Sequence, residues 1–380
     1  MKSSRGETDS GSKSGVILII LLILLGLSGA TIVLGWGLIG VFSGDSPIGD
    51  GRDPSSYGFD ISNLEIDPEA LVTSGNPRDF LFPLVDPAVI AGREVGGLNA
   101  SNKRKWQKEV VSADRVLGVK IGDSSRAYPM FILDAHEVVQ DRIGETPIVI
   151  ARSPLVDEVV VFERLLDGAT LELGVSGLLD DLSLVMHDRD PVAPSLLSGH
   201  DGRFIAGPRV GLRLEPVPGV VVTTWRDWLA RHPETDVVLR DAGSLQRYRR
   251  VSYDRYLDGS SWIIAPRITM ETLVGARDRV LAARVSNDES RWSIFPLAEL
   301  AMRMRPDGIS IAVDDRQLVI ATGTGDPTGT FDLIRADGLE LRFGFWQAAS
   351  IRDPESAQAA LERGRSALRE AMDVDPPGTN

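Results

Sequence analysis

Residues Thr146–Arg189 read TPIVIARSPLVDEVVVFERLLDGATLELGVSGLLDDLSLVMHDR. Four short runs rich in Val, Ile and Leu are separated by Ser153-Pro154, Asp167-Gly168 and Ser176-Gly177. Apolar runs this short, punctuated by turn residues, specify consecutive sheet strands. A helix would instead show apolar residues every three or four positions. The stretch therefore predicts an α+β, strand-dominated fold.

Working outward, RVLGVKIGDSSRAYPMFILDAHEVVQD starts at Arg115. Val116–Ile121 alternates like a strand, Gly122-Asp123 turns, and Pro129 sits at the first turn of a helix over Met130–Val139. The same order recurs in RVLAARVSNDESRWSIFPLAELAMRM from Arg279. There Val280–Val285 is the strand, Asn287-Asp288 the turn, and Pro296 opens a helix with Leu297, Leu300, Ala301 and Met304 on one face. DGATLELGVSG from Asp167 is echoed by DGLELRFGFWQ from Asp337. This order predicts an internal duplication: two related modules, 75–250 and 251–350, with Pro129 matching Pro296 and Leu171 matching Leu339. Between them Thr223 or Thr224 caps a helix that buries Trp225, Trp228 and Leu229 and stops before Pro233. Asp353-Pro354-Glu355 starts a last helix running to about Met372 within the segment 351–380, whose end DVDPPGTN frays.

The chain has 380 residues, enough for one large domain or two of ordinary size. Its net charge of −13 repels phosphate backbones, so nucleic acid is not an expected partner. There is no cysteine, which excludes disulfides, thiolate catalysis and Cys-ligated metals. No cofactor is implied.

Gly15–Phe42 reads GVILIILLILLGLSGATIVLGWGLIGVF without a charge, longer than the roughly 20 residues that cross a bilayer core. Lys2, Arg5 and Lys13 lie in the tail 1–14, and Arg52 alone follows closely. The expectation is a single-pass anchor over 15–42 in the lipid bilayer, N-terminus cytoplasmic and everything after Ser43 outside. A cleaved signal peptide ending at Ser28-Gly29-Ala30 is the competing reading; cleavage there leaves an apolar mature end, TIVLGWGLIGVF. Residues 43–74, rich at their start in Gly, Ser, Pro and Asp, read as a linker. NASNKRKWQK (99–108) reads as a solvated basic loop.

Several segments resemble the bacterial and archaeal family known as domain of unknown function 3179: RAYPMFILDAHEVVQD (126–141), GVSGLLDDLSLVMHDRD (174–190), AGPRVGLRLEPVPGVVVTTWRDWLARHPET (206–235) and YDRY (253–256). The resemblance spans roughly 78–350 and implies no biochemical activity. It also marks departures. Where the family carries Cys-Pro-Leu-Cys this chain has Ser153-Pro154-Leu155-Val156, and where it carries Leu-Trp-Ser-Gln this chain has Leu196–Gly199. The resemblance thus implies a degenerate pocket without thiolate metal or dithiol redox chemistry.

The candidate pocket comprises His136, Glu137, Arg152, Ser153, Met186 and His187. His136, Met186 and His187 suit a soft metal if they converge; otherwise the first is a hydrogen-bonded core histidine and Met186 a core filler. Ser153 with His136 as base would make a hydrolase, but the Gly-x-Ser-x-Gly elbow is missing. Arg152 either holds a carboxylate or phosphate, or pairs with Asp157 or Glu158. GTGTGDPTGT from Gly323 lacks the Lys-Ser/Thr ending of a phosphate loop and reads as a hairpin loop. The expected function is a membrane-anchored extracytoplasmic binding or assembly domain without catalysis. The alternatives are a metal-binding or redox-related protein, or an accessory subunit with a protein partner in the membrane.

The charge asymmetry makes a direct prediction. Protease added to intact spheroplasts removes the part of the chain after Ser43; a fully protected domain overturns the orientation.

Overall fold

The computed structural model describes residues 47–101, 108–259, 261–267, 274–285, 291–305, 308–322, 331–336 and 338–373. The expected anchor 15–42, most of the basic loop, the Asn287-Asp288 turn, the glycine-rich loop from Gly323 and the tail after Asp373 lie outside the described residues. The description below concerns the unit from Gly49 onward.

The principal elements in chain order are β1 (Arg115–Ile121), β2 (Ser124–Pro129), α1 (Met130–His136), β3 (Val138–Ile143), β4 (Thr146–Ser153), β5 (Glu158–Glu163), β6 (Leu173–Asp180), β7 (Ser183–Asp188), β8 (Val220–Thr224), α2 (Trp225–Arg231), β9 (Arg279–Val285), β10 (Ser293–Pro296), α3 (Leu297–Arg303), β11 (Leu339–Phe345), α4 (Trp346–Ser350) and α5 (Pro354–Asp373). The α+β, strand-dominated expectation holds.

A seven-stranded sheet runs β10-β9-β11-β5-β4-β3 and ends on a short edge strand at Leu84–Val85. Its strands come from both sides of residue 250. Both its faces are covered. Along β4, Ile148 and Ile150 enter the largest apolar core, while Val149 and Ala151 enter a second one. Side chains alternate along a strand, so a strand buried on both faces must be apolar throughout. That is why TPIVIA is a continuous apolar run and not an alternating one. The first core is closed by a five-stranded sheet of β8, β1, β2, Asp236–Val238 and Val89–Ala91, and by strands at Ile309–Val313 and Arg316–Thr322. The second is closed by an antiparallel sheet of Leu71–Thr73, β6, β7, Leu196–Ser198 and Phe204–Ala206.

Local chemistry explains most boundaries. Thr224 caps α2, its Oγ1 accepting from the Asp227 N–H at 3.2 Å, and Trp225 and Trp228 are buried beneath it. Asp353 caps α5 through the Ser356 N–H at 3.0 Å. The turn expected at Ser176-Gly177 is instead a bulge inside β6, with Gly177 at φ +82°, and the reversal falls at Asp181. Helix α1 stops at His136 and not at Val139, because Glu137 takes φ +58° and Val138 opens β3. The span 43–74 is not a free linker throughout. Tyr57 is enclosed and donates to the Asn76 carbonyl at 2.6 Å, and Leu71–Thr73 pairs with β6. One buried aromatic and a few strand bonds outweigh the polar composition around them.

The two DRVL segments are set alike. Trp225 N–H bonds the Asp114 carbonyl at 2.9 Å, and Trp346 N–H bonds that of Asp278 at 2.8 Å. Asp114 Oδ2 accepts from Val111 N–H at 2.8 Å, and Asp278 Oδ2 from Gly275 N–H at 2.8 Å. Strand β8 lies antiparallel beside β1 as β11 does beside β9, and each leads into a helix that begins with tryptophan. Pro129 and Pro296 each precede a helix. The expected match of Leu171 with Leu339 fails. Leu171 lies between strands, whereas Leu339 opens β11.

Helix α5 crosses β10 at Gly364, where an added Cβ would lie 2.1 Å from the Ile294 carbonyl oxygen. In an exposed helix interior Gly→Ala stabilises by up to about 1 kcal/mol. Here Gly364→Ala destabilises by about 1–3 kcal/mol, as overpacking does, and chemical denaturation reads the sign.

Candidate functional site

At the end of β4 the alternation of the strand separates the two polar residues that the sequence reading grouped. Arg152 enters the side of the sheet that faces α1. It is fully buried, with Nε 2.8 Å from Asp134 Oδ1 and Nη1 2.8 Å from Asp157 Oδ1. Asp157 also receives Arg115 at 3.1 Å and Arg279 at 2.7 Å. Burial alone would raise the Asp157 carboxyl, but Arg115, Arg152 and Arg279 outweigh it and hold the group well below the ordinary carboxylate range. Burial raises Asp134, and Arg152 offsets this only in part. Arg152 is thus committed to carboxylates of its own chain, Asp157 among them.

Ser153 points to the other face, where its Oγ accepts from the Leu184 N–H at 2.8 Å. There it meets a cavity of about 140 Å³ whose polar lining includes Glu137, Ser153 and Tyr253, against apolar walls from Val175, Leu178 and Leu184. Tyr253 belongs to the YDRY segment. The left-handed backbone at Glu137 swings its side chain off the helix end and toward this cavity. Burial, then the nearby Asp134, push the Glu137 carboxyl up to about 8, with Arg152 and Arg247 opposing. Burial, followed by Glu137, raises the Tyr253 phenol as well. At neutral pH the cavity therefore presents a neutral carboxylic acid, a hydroxyl and a phenol. It can exchange hydrogen bonds with a very small polar guest, being well under the roughly 300 Å³ at which drug-sized sites begin.

The remaining candidates do not join it. His136 is 3% exposed, with Nδ1 3.0 Å from the Phe82 carbonyl and Nε2 2.8 Å from the Tyr248 hydroxyl. Nδ1 donates to the carbonyl; burial favours the neutral ring, in which Nε2 accepts from the Tyr248 hydroxyl. Burial lowers its pKa accordingly. Met186 packs in the second core. His187, the next residue of β7, points to the opposite face, with Nε2 3.1 Å from Asp79 Oδ1 and its ring centroid 5.4 Å from that of Phe59. Neighbours on one strand cannot share an ion across its two faces, which overturns the grouping of His136, Met186 and His187. Among the described residues no group of three or more His, Asp or Glu is placed to hold a metal ion.

Sequence reasoning missed Asp134, Asp157 as a hub, and Tyr253. Two signals were present: the DRVL repeat, which places Arg115 and Arg279 alike, and Asp134 in the last turn of α1, three residues before Glu137 at its end.

Three comparisons bear on identity. The family described as "Protein of unknown function (DUF3179)" matches residues 99–362. No curated protein and no solved structure matches the chain.

Glu137 supplies a test. Its folded pKa of about 8 lies above the ordinary 4.5. Between these values the folded state holds a proton that the unfolded chain releases, so stability falls as pH rises through that window. Glu137→Gln abolishes this loss: the two proteins melt together near pH 4.5, and the variant melts progressively higher toward pH 8. A pH-independent difference in Tm would show that the carboxyl is not shifted.

Proposed function

The chain belongs to the DUF3179 family, and on that premise we propose that it is a membrane-anchored extracytoplasmic binding domain without chemistry of its own. One observation carries this reading. The nucleophile and base that the sequence offered are each engaged with another partner: Ser153 Oγ accepts from the Leu184 N–H, and His136 Nε2 is bonded to the Tyr248 hydroxyl. A hydrolytic pair needs those two groups within hydrogen-bond reach. The anchor is the apolar run 15–42, with the outward orientation set by Lys2, Arg5 and Lys13. Among the described residues no helix is long and apolar enough to cross a membrane.

A second reading, an accessory subunit of a membrane complex, is supported by an exposed apolar edge. Phe82 is 74% and Val85 53% exposed on or beside the edge strand of the seven-stranded sheet. Extraction in mild detergent distinguishes the readings: a stoichiometric partner released by Phe82→Glu favours the complex.

We also infer that 110–136 with 219–231 and 274–303 with 338–350 are copies of one unit. The support is the paired set of DRVL hydrogen bonds and the paired tryptophan helix starts.

Trace-metal analysis of the purified full chain tests the central reading. The expected result is no stoichiometric copper or zinc, with His136→Gln lowering Tm modestly, by about 1–2 kcal/mol of stability, as for a lost buried hydrogen bond. A metal bound by the wild type and lost in His136→Gln overturns it.

A further inference from the structure

The cavity of about 140 Å³ at the end of β4 is lined by a carboxyl that the chain leaves unengaged. Among the described residues, no hydrogen bond or ion pair reaches the Glu137 side chain. The residue is partly exposed, and its carboxyl oxygens keep accessible surface. A larger cavity under α5, of about 400 Å³, differs in this respect. Ala349, Ala357 and Ala360 line it, and its carboxylate, Glu158, is bonded to His200 Nδ1 at 2.5 Å.

Among the described residues, no arginine, lysine or histidine lines the cavity at Glu137. Its apolar walls include Val175, Leu178, Leu184 and Ile264. The charges that act on Glu137 do not line it: Asp134 raises the carboxyl, and Arg152 and Arg247 oppose. Arg152 is bonded to Asp134 and Asp157, and Arg247 Nη1 donates to the Ala135 carbonyl at 3.0 Å. The Tyr253 phenol, raised by burial and then by Glu137, adds a second polar group without a hydrogen bond of its own. Such a site suits a base. An ammonium offers donors to the carboxyl and to the phenol oxygen, and its charge offsets that of Glu137 and Asp134. A guest carboxylate would add negative charge beside both, with no cation in the lining to meet it. A cavity of about 150 Å³ holds a guest of about six heavy atoms.

We propose that this cavity binds a small primary amine, its nitrogen at the Glu137 carboxyl and its short apolar tail against Val175, Leu178 and Leu184. The inference rests on the reading of the chain as a binding domain, to which it adds a ligand class. Trace-metal analysis decides that reading, and a titration decides this one. In solution at pH 7 the amine carries one titratable proton, and Glu137, pushed up to about 8, carries another. In contact, nitrogen and carboxyl share a single proton, so binding releases one.

Butylamine, butanol and butyrate are similar in size and differ in the head. Calorimetric titration of the detergent-solubilised full chain at pH 7, in two buffers of different ionisation enthalpy, is expected to show saturable one-to-one binding of butylamine. The buffer dependence gives release of about 0.9 proton per guest, the protonated fraction of a carboxyl at about 8. Butanol and butyrate bind at least about tenfold more weakly. Glu137→Gln, with an unchanged circular dichroism spectrum, weakens butylamine at least about tenfold and abolishes the proton release. Butylamine that fails to saturate overturns the proposal. So does butanol or butyrate binding as tightly as the amine, or a Glu137→Gln protein that binds butylamine as tightly as the wild type.

Discussion

Asp157 is the joint on which the structure depends. Its carboxylate takes an arginine from β1, one from β4 and one from β9. These strands belong to two different sheets and to segments more than a hundred residues apart. Removing such a carboxylate would leave Arg115, Arg152 and Arg279 without its charge, two of them partly and one fully buried. Breaking a buried pair by deleting one partner typically costs 3–5 kcal/mol. The left-handed backbone at Asp157, φ +48°, is the strain accepted for that placement.

Around this joint the layers are ordered by the period of two. Each strand of the central sheet serves two cores, so one residue decides little, and adjacent residues do unrelated things. Arg152 knits the sheet to α1 and Asp157, whereas Ser153 faces a cavity on the far side. Met186 and His187 divide in the same way. The turn after β4 borders a small cavity whose polar lining includes Glu137, Ser153 and Tyr253, with the Glu137 carboxyl pushed up to about 8 by burial and by Asp134. The larger cavity under α5 is built differently, from alanines and a carboxylate fixed by a histidine.

The strand runs from Thr146 to Arg189, the Thr224 and Asp353 caps and the proline helix starts could be read from the chain because each depends on neighbours within a few residues. The bulge at Gly177 could not. A glycine after serine signals either a turn or a bulge, and only the partner strand decides. DGATLELGVSG and DGLELRFGFWQ share a composition, Asp-Gly followed by alternating leucine, yet Leu171 lies outside a strand while Leu339 pairs with Val285 of β9. Of the candidate site residues, Glu137 and Ser153 line one cavity. His136 does not, and its partners Phe82 and Tyr248 are distant in sequence. The split of Arg152 from Ser153 was readable in principle: once a run is taken as a strand, successive residues must face opposite ways.

The seam between the two halves of the central sheet has a kinetic meaning. Strand β11 meets β5 at a single registered pair, Phe343 with Val159, whereas β4 and β5 are joined along six. Almost two hundred residues separate the partners at the seam, so the chain must close a very long loop to form it, and such contacts form late. A nascent chain that has reached residue 250 can already pair β3, β4 and β5. Until β9 and β11 arrive, the outer edge of β5 is an unpaired, largely apolar strand, the kind of edge on which chains aggregate.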